Sequence, residues 1–113
     1  MKQLPVLGEY GFYTLKNRKL PAAEFDRSKI EKIKCFIVEQ IDRTKSINKK
    51  ISSYELKHII EDLIHEQEYI SNGECIKAFI ELGFDVIPDG INAHFNVSNK
   101  DITRLRTLRD KTQ

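Results

Sequence analysis

The 113-residue sequence predicts an α+β fold of three helices, a C-terminal β-hairpin and a short basic terminal helix, and three observations predict it. Three Ser-x-x-Glu sets, at Ser28/Glu31, Ser52/Glu55 and Ser71/Glu74, each precede an apolar stripe with three- and four-residue spacing. A Pro88-Asp89-Gly90 turn signal separates two strand-like runs. Basic residues then follow at helical spacing to the C-terminus. Helix, helix, helix and hairpin is the element order of a winged helix-turn-helix.

Residues 1–25 show no clear period. Tyr10, Phe12 and Tyr13 lie among glycines, and Pro5 and Pro21 bracket the segment. The aromatic content predicts an arm, with a short strand at most, packed on the body rather than disordered. Residues 26–113 are expected to form one domain.

The first helix is predicted over 28–44, capped by Ser28 with Glu31 and buried along Ile30, Ile33, Ile37 and Ile41. Thr44–Lys50 reads as a polar, basic connector. The second helix, over 53–66, is capped by Ser52 with Glu55 and buries Leu56, Ile59, Ile60 and Leu63. The third, over 72–82, is capped by Ser71 with Glu74, and Gly83 suits the left-handed position that ends a helix. Its exposed residues are expected to be Glu74, Lys77, Ala78 and Glu81.

A two-stranded hairpin is predicted over 84–97. It should turn on Pro88–Gly90, with Ala93, Phe95 and Val97 inward and Asn92, His94 and Asn96 outward. Ser98 with Asp101 caps a short terminal helix along Ile102, Leu105 and Leu108. The expected core is Ile33, Ile37, Ile41, Leu56, Ile60, Leu63, Ile76, Phe79, Ile80, Phe84, Phe95 and Val97.

The segments "SSYELKHIIED", "YISNGECIKAFIELGF" and "INAHFNVS" resemble small proteins encoded by bacterial phages and integrated mobile elements. Those proteins share a Ser-Ser-Tyr-x-Leu-Lys-His opening, a Tyr-x-Ser-Asn-Gly-Glu helix start and an Asn-Ala-x-Phe-Asn-x-Ser close. The likeness spans about residues 52–98. It implies a mobile-element origin and a shared winged-helix-like fold, and it implies no activity.

Charge is distributed unevenly. The net +2 of the chain divides into −7 over Ser52–Gly90 and +9 over the remainder. An acidic centre with basic flanks leads to two functional expectations. In the first, a non-enzymatic accessory protein contacts nucleic acid through its flanks: Arg43, Lys45, Lys49 and Lys50, the hairpin residues Asn92 and His94, and Arg104, Arg106, Arg109 and Lys111. In the second, an inhibitor or adaptor docks a basic protein through the acidic helical face at Glu61, Asp62 and Glu66.

Other chemistry is weaker. His58, Asp62 and His65 share a helix face and could reach one metal ion, but a solvated polar face explains them more simply. The helix start at Ser71–Glu74 could hold a phosphate, yet Glu74 competes for the same amides. The third helix, with two carboxylates on its expected outer side, is poorly equipped to read a major groove. Tyr10, Phe12 and Tyr13 beside Lys16, Arg18 and Lys19 could stack on single-stranded bases, or simply pack. No nucleotide-binding, nucleophile-elbow or zinc-ligand spacing occurs, so neither an enzyme nor a cofactor is expected.

The N-terminal residues lack the apolar block of a signal peptide and no run is long enough to span a bilayer, so a cytoplasmic protein without membrane attachment is expected. Cys35 and Cys75 are then expected to be free thiols.

Overall fold

The computed structural model describes residues 4–13, 24–64 and 68–112. The chain forms β1 (Leu7–Gly8), β2 (Gly11–Phe12), α1 (Arg27–Gln40), β3 (Arg43–Asn48), α2 (Ser53–Leu63), α3 (Asn72–Glu81), β4 (Val86–Asp89), β5 (Asn92–Val97) and α4 (Asn99–Thr112). It is a compact α+β fold with two antiparallel sheets, the pair β1–β2 and the three-stranded sheet β3–β5–β4. None of the described helices is long and apolar enough to cross a membrane.

Two capping boxes form as the sequence predicts. Ser52 Oγ accepts from the Glu55 amide and Glu55 reaches back to the Ser52 amide, and Ser71 and Glu74 do the same for α3. The first helix differs. Asp26 caps it instead of Ser28, accepting from the amides of Ser28 (2.9 Å) and Lys29 (3.4 Å). A carboxylate two residues ahead captures those donors, which leaves Ser28 inside the helix. The helix also ends at Gln40 rather than 44, because Ile41 turns extended and drops into the core. α2 ends at Leu63, and the residues 65–66 of its predicted last turn lie outside the described residues.

The basic connector is not a loop. Arg43–Asn48 pairs antiparallel with β5, Arg43 opposite Val97 and Asn48 opposite Phe95, across an irregular register. The expected two-stranded hairpin is therefore part of a three-stranded sheet with β5 in the middle. Asn96 explains the join. Expected to point outward, it is buried; its amide donates to Thr44 O (2.8 Å) and its carbonyl accepts from the Asp85 amide (2.7 Å). One side chain thus fastens both outer segments to the central strand. The turn also sits one residue later than expected. Pro88 and Asp89 pair inside β4, and Gly90, at φ +61°, begins a two-residue link with Ile91.

The core draws on every element except β3, whose residues are exposed or half-buried. Ile33, Ile37, Ile41, Leu56, Ile60, Ile76, Phe79, Phe95 and Val97 are buried as predicted, while Leu63, Ile80 and Phe84 are only partly covered. Phe79 stacks on Phe95 with ring centroids 4.2 Å apart, and Phe84 meets Phe79 edge-on at 4.9 Å. Ile102 and Leu105 join this core, whereas Leu108 stays exposed.

α3 is the central helix. It packs against α1, α2, β5 and the β1–β2 pair, and of Asn72–Phe79 only Lys77 is not buried. The expectation that Glu74 and Ala78 face solvent is corrected accordingly: both are buried. The N-terminal pair closes the last side. The Gly73 amide donates to Glu9 O (2.8 Å), and a Cβ on Gly73 would lie 2.0 Å from Gly8 O. Only glycine permits that approach. Phe12 is buried there, whereas Tyr10 is mostly exposed.

Candidate nucleic-acid interface

The acidic centre and the basic flanks interlock more than their separation in sequence predicts. Lys29 of α1 pairs with Glu74 (3.4 Å) and Lys32 with Glu68 (3.5 Å), while Arg27 and Lys34 both bond Glu81. Arg27 and Lys34 hold the Glu81 carboxyl down at about 2, chiefly through the Arg27 hydrogen bond. The positive charge of α1 is therefore largely matched, chiefly by Glu74 and Glu81 of α3.

The remaining positive density lies elsewhere. Nine of the nineteen Lys and Arg residues fall in Arg43–Lys50 or Lys100–Lys111, with only Asp101 and Asp110 among them. The two segments are adjacent in space. At one end the Ser98 amide donates to Asp42 O (3.0 Å) and the Asp42 amide to Asp101 Oδ2 (2.9 Å), so α4 starts beside the start of β3. Midway along α4, Arg106 reaches Glu55 in the first turn of α2 (3.2 Å).

Within this edge, arginines and lysines do different work. Arg104 donates to Gln40 O (2.7 Å) and Gln40 Oε1 (3.0 Å), which fixes α4 to the end of α1. Arg106 fixes it to α2 through Glu55. Arg43 donates to Gly83 O (3.1 Å) and lies over the Phe84 ring, and Arg109 lies against Asp110 (3.7 Å). By contrast Lys45, Lys49, Lys50, Lys100 and Lys111 are exposed, and their ammonium groups have no hydrogen-bond or ion-pair partner among the described residues. Four were picked out from sequence. Lys100 was missed; its place in the first turn of α4, opposite the basic run on β3, emerges only once β3 is known to be a strand.

The hairpin residues of the expected interface are turned to internal use. His94 is half-buried, with Nδ1 2.8 Å from Ile51 O and Nε2 3.0 Å from Asp89 Oδ2. Asn92 Oδ1 accepts from Asn72. Neither ring nitrogen of His94 is left to meet a phosphate in this arrangement.

The acidic face is likewise occupied. Glu61 accepts from the Ile70 amide (3.0 Å), lies 2.8 Å from His58 Nδ1 and 3.7 Å from Lys57 Nζ, and is mostly covered. Asp62 is half-buried, and Glu66 lies outside the described residues. His65, the third member of the considered metal set, also lies outside them, and no three potential ligands converge among the described residues. Cys35 is exposed and Cys75 buried, both as free thiols.

Comparison with family models, curated proteins and solved structures finds no match to this chain.

Proposed function

We propose that this is a non-enzymatic accessory protein of a phage or mobile element that binds nucleic acid along the β3–α4 edge, gripping phosphates without reading bases. The observation that carries this reading is the set of five exposed lysines without partners, on a molecule whose other described cations are mostly paired. An ammonium on a flexible stem is a point-charge donor to phosphate, and each contact releases a counterion. Fixed arginines beneath hold the edge in shape.

The element order α1–β3–α2–α3–β4–β5, with β3 joined to the hairpin, supports a winged-helix-like architecture. The winged-helix expectation that α3 lies in the major groove has no support here, since Asn72–Phe79 is buried except for Lys77. Recognition through the sheet edge and α4 fits the enclosed helix and predicts weak sequence preference.

The test is binding of a fluorescent duplex at several salt concentrations. If all five lysines meet phosphates, log K should fall against log salt with a slope of about −4.5. Lys45→Gln, Lys49→Gln and Lys50→Gln together should reduce that slope by about three. A duplex that does not bind at low salt, or a slope unchanged by the triple substitution, removes the proposal.

A further inference from the structure

Three tyrosines form an exposed row on the face where α2 meets the start of α3. Tyr10, Tyr54 and Tyr69 are 73%, 51% and 58% exposed. Their rings are not loose. The buried Lys57 places its ammonium 5.4 Å from the Tyr54 ring centre and 5.0 Å from that of Tyr69, so one cation links two rings. Lys29 lies 5.8 Å from Tyr69 on α1's side, and His58 packs edge-on against Tyr54 at 4.6 Å. Tyr10 is anchored by its carbonyl, which accepts from Asn72 (3.0 Å) at the start of α3.

The electrical sign of this row opposes that of the β3–α4 edge. Its two bridging lysines are already matched, Lys57 with Glu61 and Lys29 with Glu74. Glu9 is exposed beside Tyr10 and has no side-chain partner among the described residues. The Tyr69 phenol is pushed up by burial and then by Glu9, with Glu61 and Glu74 adding to it, so a negative field reaches that hydroxyl.

We propose that the Tyr10–Tyr69–Tyr54 row is a docking surface for an arginine- or lysine-bearing segment of a partner protein. Tyrosine supplies rigid, amphipathic contact area at low entropic cost and is enriched at binding hot spots. Rings held by an internal cation lose little freedom on binding. A guanidinium can stack on the exposed rings while Glu9 complements its charge. The same carboxylates oppose a phosphate backbone, so single-stranded nucleic acid, the other ligand that uses aromatic platforms, is disfavoured here. The surface is independent of the nucleic-acid reading and uses none of its residues.

The experiment follows the aromatic NMR signals of the full chain, which has four tyrosines and no tryptophan, during titration with three probes. These are an arginine–proline repeat peptide, its glutamate–proline counterpart and an oligothymidine. The expected result is saturable shifts of Tyr54 and Tyr69 with the arginine peptide alone. Tyr54→Ala and Glu9→Arg should each weaken that binding about tenfold, a loss of about 1.4 kcal/mol. The Lys45/Lys49/Lys50→Gln variant should bind the peptide as the parent does, even where it has lost the duplex. Glu9→Arg tests the claim without touching the ring packing, should Tyr54→Ala perturb the fold. Equal shifts with the glutamate peptide, shifts with oligothymidine alone, or arginine-peptide binding indifferent to both substitutions would overturn the proposal.

Discussion

The Asn72 amide donates to Asn92 Oδ1 at 2.9 Å, and the same nitrogen lies 3.0 Å from Tyr10 O and 3.4 Å from Ile91 O. One buried side chain at the first turn of α3 therefore joins the N-terminal pair, the hairpin link and the central strand. Three acceptors surround a single donor group. Asn72→Ala should cost about 1–3 kcal/mol in urea unfolding, since it takes the donor from the part-buried acceptors Tyr10 O and Asn92 Oδ1. Asn72→Asp should cost more, because it sets a carboxylate against three oxygens. If the aspartate variant unfolds at the parent's urea midpoint, this junction does not hold the fold together.

Gly73 makes a complementary case. In an isolated helix, Gly→Ala gains about 1 kcal/mol. Here the new methyl would come within 2.0 Å of Gly8 O and 2.8 Å of Glu9 O, both backbone atoms. Gly73→Ala is expected to release the β1–β2 pair, read as faster hydrogen exchange at the Phe12 and Tyr13 amides. Unchanged exchange with raised stability would show that helix propensity prevails over the contact.

Glu81 gives the fold an acid limit. Its folded carboxyl lies near 2 against an ordinary 4.5, so the stabilisation from Arg27 and Lys34 is complete above about 4.5 and fades as pH falls toward about 2. Glu81→Gln should flatten the stability profile over that window and leave its shape above it unaltered. An unaltered slope between pH 4.5 and 2 would mean that the Arg27–Glu81 pair survives protonation or never contributed.

The two thiols should react in sequence. Cys35 lies exposed on α1, whereas Cys75 is wholly buried and its thiol is pushed far up by desolvation. A thiol reagent at neutral pH should label one equivalent in the native protein and the second only at the rate of unfolding. Two equivalents at one rate would place Cys75 at the surface.

Arginine and lysine substitutions on the β3–α4 edge should separate. Arg104→Ala and Arg106→Ala remove tethers of α4, and each is expected to lower stability by about 0.5–1 kcal/mol. Lys45→Gln, Lys49→Gln and Lys50→Gln should leave stability within about 0.5 kcal/mol, because these side chains make no hydrogen bond or ion pair among the described residues. Thermal unfolding of both sets distinguishes scaffold from binding surface. Equal losses in the two sets would merge the roles.

What the sequence determined by itself was local. Ser52 with Glu55 and Ser71 with Glu74 cap their helices because donor and acceptor lie three residues apart, so the signal is complete within four positions. Gly90 marks the hairpin for the same reason. The apolar stripes located most of the core, and the excess of cations over carboxylates in Arg43–Lys50 and Lys100–Lys111 was visible in composition. Tertiary structure decided the rest. β3 carries no apolar alternation, since five of its six residues are polar and its pairing depends on β5, fifty residues away. Asn96 reads as an outward strand residue until Thr44 and Asp85 come to lie on either side of it. α3 looks amphipathic until the N-terminal pair covers its remaining face. Whether a cation is a tether or a free charge was likewise settled at long range: Arg104 meets Gln40 sixty-four residues away, while the Lys45 ammonium has no hydrogen-bond or ion-pair partner among the described residues. Sequence spacing carries hydrogen bonds that close within one turn, and only the folded chain assigns those that close across it.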